Sequence, residues 1–186
     1  ANRVLQHVDS ECRWLYKTLH TDGTTGKINY TVWSDVFICS YCSGEMVFWD
    51  VAVNKDSGKV VQKFSCPHCG ASLTKRSLER LKVNVFDRAT GATISQAKIV
   101  PVLINYSVGR KKFEKVPDAH DLTLLKKVQD VDIPYAYPSN QMVRGYNTQQ
   151  PMESHGYTHV HHFYTKRNLW VLSCIAERIA AEPSDR

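Results

Sequence analysis

Four of the six cysteines stand in pairs: Cys39-Ser40-Tyr41-Cys42 and, after 23 intervening residues, Cys66-Pro67-His68-Cys69, followed by Gly70. Two CxxC pairs at this separation are the ligand set of a zinc ribbon. Each pair sits on a tight turn, so both of its sulfurs can face one ion. Four thiolates close a tetrahedral ion completely and leave no position for water. The chemistry expected of Cys39, Cys42, Cys66 and Cys69 is therefore structural, with Zn2+ as cofactor and no catalytic residue among them. Pro67 fixes the second turn, and Gly70 lets its backbone bend so that amides approach sulfur.

No other catalytic signature is present: there is no P-loop, GxSxG, HExxH or GxGxxG. His155, His159, His161 and His162 cluster ahead of the last helical pattern. Imidazole suits zinc, but no carboxylate or thiol accompanies them at ligand spacing in the sequence. His159 and His161 alternate as on a strand. Packed structural histidines are the favoured reading, and contact with phosphate or base edges is the other.

A net charge of +6 and a pI near 9.0 favour an anionic partner. Three runs concentrate the cations. Arg110, Lys111, Lys112 and Lys115 follow Gly109 and surround Phe113. His161, His162, Lys166 and Arg167 stand at a predicted helix N-terminus, where amides and dipole already favour phosphate. Lys75 and Arg76, with Arg80 and Lys82, follow the second cysteine pair. Each run alone reads as a solvated face; the three together, on a basic zinc protein, point to nucleic acid.

The elements that must position these groups are mixed. Val4, Leu5, Val8, Cys12, Leu15 and Leu19 recur at helical spacing and predict an amphipathic helix from Asn2 to about Leu19. Residues 28–38 and 45–53 read as strands. A turn at Asn54–Gly58 and a returning strand at 59–64 complete the ribbon. A second hairpin joins 81–86 to 93–104 around Asp87–Gly91, with Val100–Ile104 buried. Asp118 caps a helix with the stripe Leu122, Leu125, Val128. Residues 133–157, rich in proline, glycine and tyrosine, read as a long loop, functional or disordered, with a recognition role expected. Thr165 caps a final helix burying Leu169, Leu172, Ile175 and Ile179. The expected fold is α+β: a zinc ribbon of β-hairpin knuckles embedded in a small mixed domain with flanking helices. Its parts are 1–30 (helix and turn), 31–80 (ribbon), 81–164 (hairpin, helix and recognition loop) and 165–186 (helix and tail). The remaining thiols, Cys12 and Cys174, lie far apart in helical patterns, so a reduced compartment is expected. The start at Ala1 and the ending in Ala181–Arg186 suggest a segment of a larger protein, with a natural processed chain as the alternative. No apolar run approaches the roughly 20 residues of a membrane span.

Several phrases resemble prokaryotic N6-adenine/N4-cytosine DNA methylases. They are Leu19–Gly23, Gly26–Tyr30, Trp33–Phe37 leading into the first CxxC, and Cys66–Gly70. Val100–Tyr106 and Thr158–Leu169 continue the series. The resemblance covers most of the chain outside the tyrosine-rich loop. It implies the target-recognition insert of a restriction-modification methyltransferase, acting in the prokaryotic cytoplasm with duplex DNA and the rest of its parent chain as partners. Such parents bind S-adenosylmethionine through an FxGxG motif and hold the flipped base with a Pro-Pro-aromatic motif. This chain has neither; Asp132-Ile133-Pro134-Tyr135 lacks the first proline and reads as a turn. Only the four zinc cysteines carry over from the family. A structural or protein-interaction ribbon is the alternative, and a free-standing RNA-binding zinc protein is a third.

Overall fold

A computed structural model describes residues 2–182. The expectations about Ala1 and the tail at 183–186 lie outside the described residues. In chain order the elements are α1 (Asn2–Cys12), β1 (Lys17–Leu19), β2 (Thr25–Ile38), β3 (Glu45–Val47), α2 (Phe48–Ala52), β4 (Phe64–Ser65), β5 (Ser72–Leu73), β6 (Glu79–Arg80), β7 (Lys82–Asp87), β8 (Ala92–Ala97), β9 (Ile99–Val108), β10 (Lys111–Lys115), α3 (Ala119–Asp130), α4 (Tyr146–His155) and α5 (Lys166–Ala180). The class is α+β with helices at both ends. Among the described residues, no helix is long and apolar enough to cross a membrane. The chain divides into two compact units. One holds residues 2–31, 103–142 and 159–182; the other holds 32–102 and 143–158.

The first unit is built on α1, α3 and α5. Val4, Val8, Cys12, Leu15, Val128, Trp170 and Cys174 form its helical core, and Trp14 meets Trp170 edge-on at 5.6 Å. The first helix is shorter than its periodicity predicts. After Cys12 comes a 3-10 turn at Arg13–Tyr16, and Leu19 belongs to β1. Leu15 still reaches the core because the tighter turn keeps it on the buried side. The face of α5 is also rotated from expectation. Leu169, Trp170, Ser173 and Cys174 are buried, whereas Leu172 and Ile179 are exposed. Cys12 and Cys174, distant in sequence, share this core as free thiols.

A buried ion pair ties α3 to the sheet of this unit. Asp118 caps the helix, accepting from the Asp121 amide at 3.0 Å, while Asp121 accepts from the Asp118 amide at 3.0 Å. Asp121 also accepts from the Thr18 hydroxyl at 2.6 Å and pairs with Lys115 at 2.8 Å. Lys115 reaches the Leu19 carbonyl and Asp118 as well, and its ammonium holds the Asp118 carboxyl down to about 2. The buried face of α3 is therefore Asp121 and Val128, and Leu122, expected inside, points to solvent.

The second unit holds the cysteine pairs. Its core is Cys39, Met46, Ala52, Phe64, Cys66 and Leu73, with Phe48 edge-on to Phe64 at 6.1 Å. The strand predicted over 45–53 stops at Val47. There the Ser34 hydroxyl accepts from the Trp49 amide at 3.0 Å and the chain coils into α2. The returning strand is reduced to Phe64–Ser65 plus an isolated bridge between Val53 and Val60. The second hairpin is β7 with β8, and Lys98 separates β8 from β9, so the 93–104 strand is two strands. The stretch predicted as a loop contains α4, which continues through Pro151 and ends at Gly156 in the left-handed region. Proline, glycine and a weak apolar stripe hide this helix from periodicity.

At the end of α4, His155 lies with its Nδ1 2.7 Å from the Ser154 hydroxyl and its Nε2 3.7 Å from Asp35. Asp35 is engaged by Arg80 at 2.9 Å. Burial lowers the His155 pKa, the Arg80 charge lowers it further, and Asp35 opposes both. A histidine depressed in the folded state binds its proton more readily unfolded. Its contribution is fully present above the unfolded value near 6.5 and is lost as pH falls from there through the folded value. Urea denaturation at pH 7.5 and 5.5 should show lower stability at the acid value, and His155→Gln should remove part of that difference.

Candidate metal centre

The two cysteine turns repeat one local geometry. In the first, the Ser43 amide donates to the Cys39 carbonyl and the Cys39 amide to the Gly44 carbonyl, both at 2.9 Å. In the second, Gly70 donates to Cys66 and Cys66 to Ala71, again at 2.9 Å. The amides of Tyr41 and His68 point at the sulfurs of Cys39 and Cys66, at 3.5 and 3.4 Å. Amides aimed at sulfur stabilise thiolate, the form that binds metal.

Across the turns, Cys39 Sγ lies 3.8 Å from Cys69 Sγ, and Cys42 Sγ lies 3.7 Å from Cys66 Sγ. All four sulfurs fall within 4.8 Å of one another. A tetrahedral ion with metal–sulfur bonds of about 2.3 Å has sulfur–sulfur edges of about 3.8 Å. The donor set and its spacing thus fit one tetrahedrally held metal ion. Cys39 and Cys66 are buried, while Cys42 and Cys69 are exposed.

Protonation points the same way. The Tyr41 amide brings the Cys39 thiol down to about 6. The Gly44 amide pulls Cys42 down too, but desolvation and the three neighbouring sulfurs outweigh it and push Cys42 up to about 12. Four thiolates this close repel one another, so complete ionisation needs a cation among them.

His68 joins the turns in a way that spacing does not reveal. Its Nε2 lies 2.9 Å from the Glu45 carbonyl, and its ring occupies the space where a Cβ on Gly44 would stand. Gly44 is thus the small residue that lets one turn pack on the other. Ser43 and Gly70 are equivalent, each following the second cysteine of its pair, with φ of 58° and 73°. Serine pays a steric cost there that glycine does not. Ser43→Gly should stabilise the second unit by about 0.5–1 kcal/mol, measured as a shift in denaturation midpoint.

The basic residues of the three sequence runs separate into two groups. Arg110, Lys111 and Lys112 are exposed at the β9–β10 hairpin, whose two-residue turn is Gly109-Arg110 with Gly109 at φ 59°. Glycine in the first turn position suits the twist of a two-residue hairpin. Lys75 and Arg76 are exposed in the second unit, where Lys75 stands over the Phe48 ring at 5.3 Å. The rest are engaged internally. Lys115 belongs to the Asp121 network. Arg167 is 6% exposed and stacks over Tyr16 at 5.2 Å. Lys166 donates to the Gln129 carbonyl at 2.7 Å. His161 is buried, and His162 packs edge-on to it at 4.3 Å. Residues 160–163 form a 3-10 turn, so His159 and His161 do not alternate on a strand. Among these, His161 and Arg167 are buried and Lys115 is partly buried. Ile133 and Tyr135, from the near-miss motif, pack against the core of the first unit.

The chain matches no family model, no curated protein and no solved structure.

Proposed function

We propose that this chain is a zinc-ribbon DNA-recognition segment of an amino-methyltransferase whose methyl-transfer machinery lies elsewhere in a parent protein. Tetrahedral thiolate sites belong to zinc or iron, and a redox-silent zinc suits a purely structural post. The ion would tie the two cysteine turns together and take no part in a reaction. Transfer of a methyl group from S-adenosylmethionine to a base amino group would fall to the parent, because this chain carries neither of the motifs that bind the cofactor and the flipped base.

The observation that carries the recognition reading is the exposed hairpin tip of Arg110, Lys111 and Lys112. Three cations on a short, hydrogen-bonded turn are held out where duplex phosphates can meet them, and phosphate neutralisation releases counterions. Exposed Lys75 and Arg76 offer further charge in the second unit.

The test is binding of a mixed-sequence duplex followed by fluorescence anisotropy between 50 and 200 mM salt. The three tip cations contribute about −2.7 to the log–log slope, an affinity loss of about 40-fold over that range from them alone. R110A/K111A/K112A should flatten that slope and weaken binding at least tenfold at low salt. Undetectable binding at 50 mM would overturn the reading in favour of a structural or protein-interaction ribbon. Preference for single-stranded RNA would overturn it in favour of an RNA-binding protein.

A further inference from the structure

The first unit presents a polar sheet face that the cysteine site does not use and that the hairpin tip reaches only through Lys112. Its sheet order is β1-β2-β9-β10. One side is the core: Ile28, Ile104 and Tyr106 are buried there with Phe113 against them. Alternation along the strands sends Asn29, Asn105 and Ser107 to the other side. Asn29 Nδ2 donates to Asn105 Oδ1 and to Ser107 Oγ, both at 2.9 Å, and Ser107 Oγ donates back to Asn29 Oδ1 at 3.2 Å. These bonds fix the amide and hydroxyl groups in a row across β2 and β9.

Lysines border the row on both sides. Lys17 and Lys27 stand directly opposite each other on β1 and β2, both exposed. On β10, Lys112 stands opposite Ser107. Like charges directly opposite on neighbouring strands destabilise a sheet, so the fold gains nothing from the Lys17–Lys27 pairing. Asp9 offers little relief: it is 3.9 Å from Lys27 and bonded to Arg13 at 2.6 Å. The carboxylate of this face, Glu114, is occupied by Asn105 Nδ2 at 3.1 Å and the Tyr30 hydroxyl at 3.3 Å. Four strands place β1 and β10 about 14 Å apart, comparable to the ~12 Å width of a duplex major groove.

We infer that this face docks duplex DNA, with Lys17 and Lys27 on phosphates at one border, Lys112 on phosphates at the other, and the Asn29–Asn105–Ser107 row between them. The inference rests on the DNA-recognition reading above and names the surface that serves it. Amide and hydroxyl groups held in place can hydrogen-bond a partner with little ordering cost.

The test is K17A/K27A in the full chain, which leaves the hairpin tip intact. Duplex affinity at 50 mM salt should fall at least fivefold and the salt slope should flatten by about 1.8. The thermal midpoint should hold or rise, because a like-charge pair has been removed. K17R/K27R should bind as the wild type does. Wild-type binding that K17A/K27A leaves unchanged in affinity and slope overturns the sheet-face inference alone. Absence of duplex binding by the wild type overturns both this inference and the reading beneath it.

Discussion

Cys66→Ser should unfold the second unit while the helical core of the first unit persists. Cys66 is one of the four sulfurs placed to hold a metal ion and also a buried member of the core with Met46, Phe64 and Leu73. Serine at this position replaces a soft thiolate with a hydroxyl that does not ionise near neutral pH. It also sets a polar group among apolar neighbours. Binding of a structural zinc supplies on the order of 10–16 kcal/mol at neutral pH. Ordinary domains have only about 5–15 kcal/mol of stability in all. Around the cysteine turns there is little other support: β4 and β5 pair over two residues each, and β3 has three. Proteolysis should cut the variant between residues 40 and 75, and circular dichroism should retain most of the helical signal of α1, α3 and α5. Wild-type chain treated with a strong chelator should give the same pattern.

Asp121→Ala should have the next largest effect, about 3–5 kcal/mol lost from the first unit. The carboxylate is 2% exposed and is the common partner of Thr18, Lys115 and the Asp118 amide. Alanine removes every one of these bonds. It leaves the Lys115 ammonium, whose side chain is only 14% exposed, with Asp118 as its remaining carboxylate. Breaking one side of a buried pair is costly because the other charge stays behind without its partner. Asp121→Asn keeps the shape and an acceptor oxygen and should cost less. Chemical denaturation of the two variants side by side measures the difference.

The legible and the hidden parts of this molecule divide by range. The cysteine turns are local, and their spacing alone places four sulfurs on one centre. The helix caps at Asp118 and Thr165 are equally local, and both stand where their residue types predict. Asp121, in contrast, reads only as an acidic residue in a first helical turn. Its partner Thr18 is 103 positions away, and nothing near either residue signals the other. The internal roles of Lys115 and Arg167 are hidden for the same reason: a run of cations looks alike whether solvent or a residue of the fold, Asp121 or Tyr16, receives it. Helix α4 was masked by Pro151 and its flanking glycines. Lys17 and Lys27 are single lysines in ordinary strands until pairing sets them face to face. What sequence could supply was one closed cluster and an excess of positive charge; which cations remain free for a partner is a property of packing.

The tetrathiolate centre is the claim on which the rest depends, and metal stoichiometry tests it most directly. Chain purified under reducing conditions should carry one zinc ion by native mass spectrometry. Chelation should remove the ion and unfold the second unit together, with Cys39, Cys42, Cys66 and Cys69 becoming open to alkylation. A chain that holds no metal and keeps its folded spectrum unchanged in chelator would contradict the account.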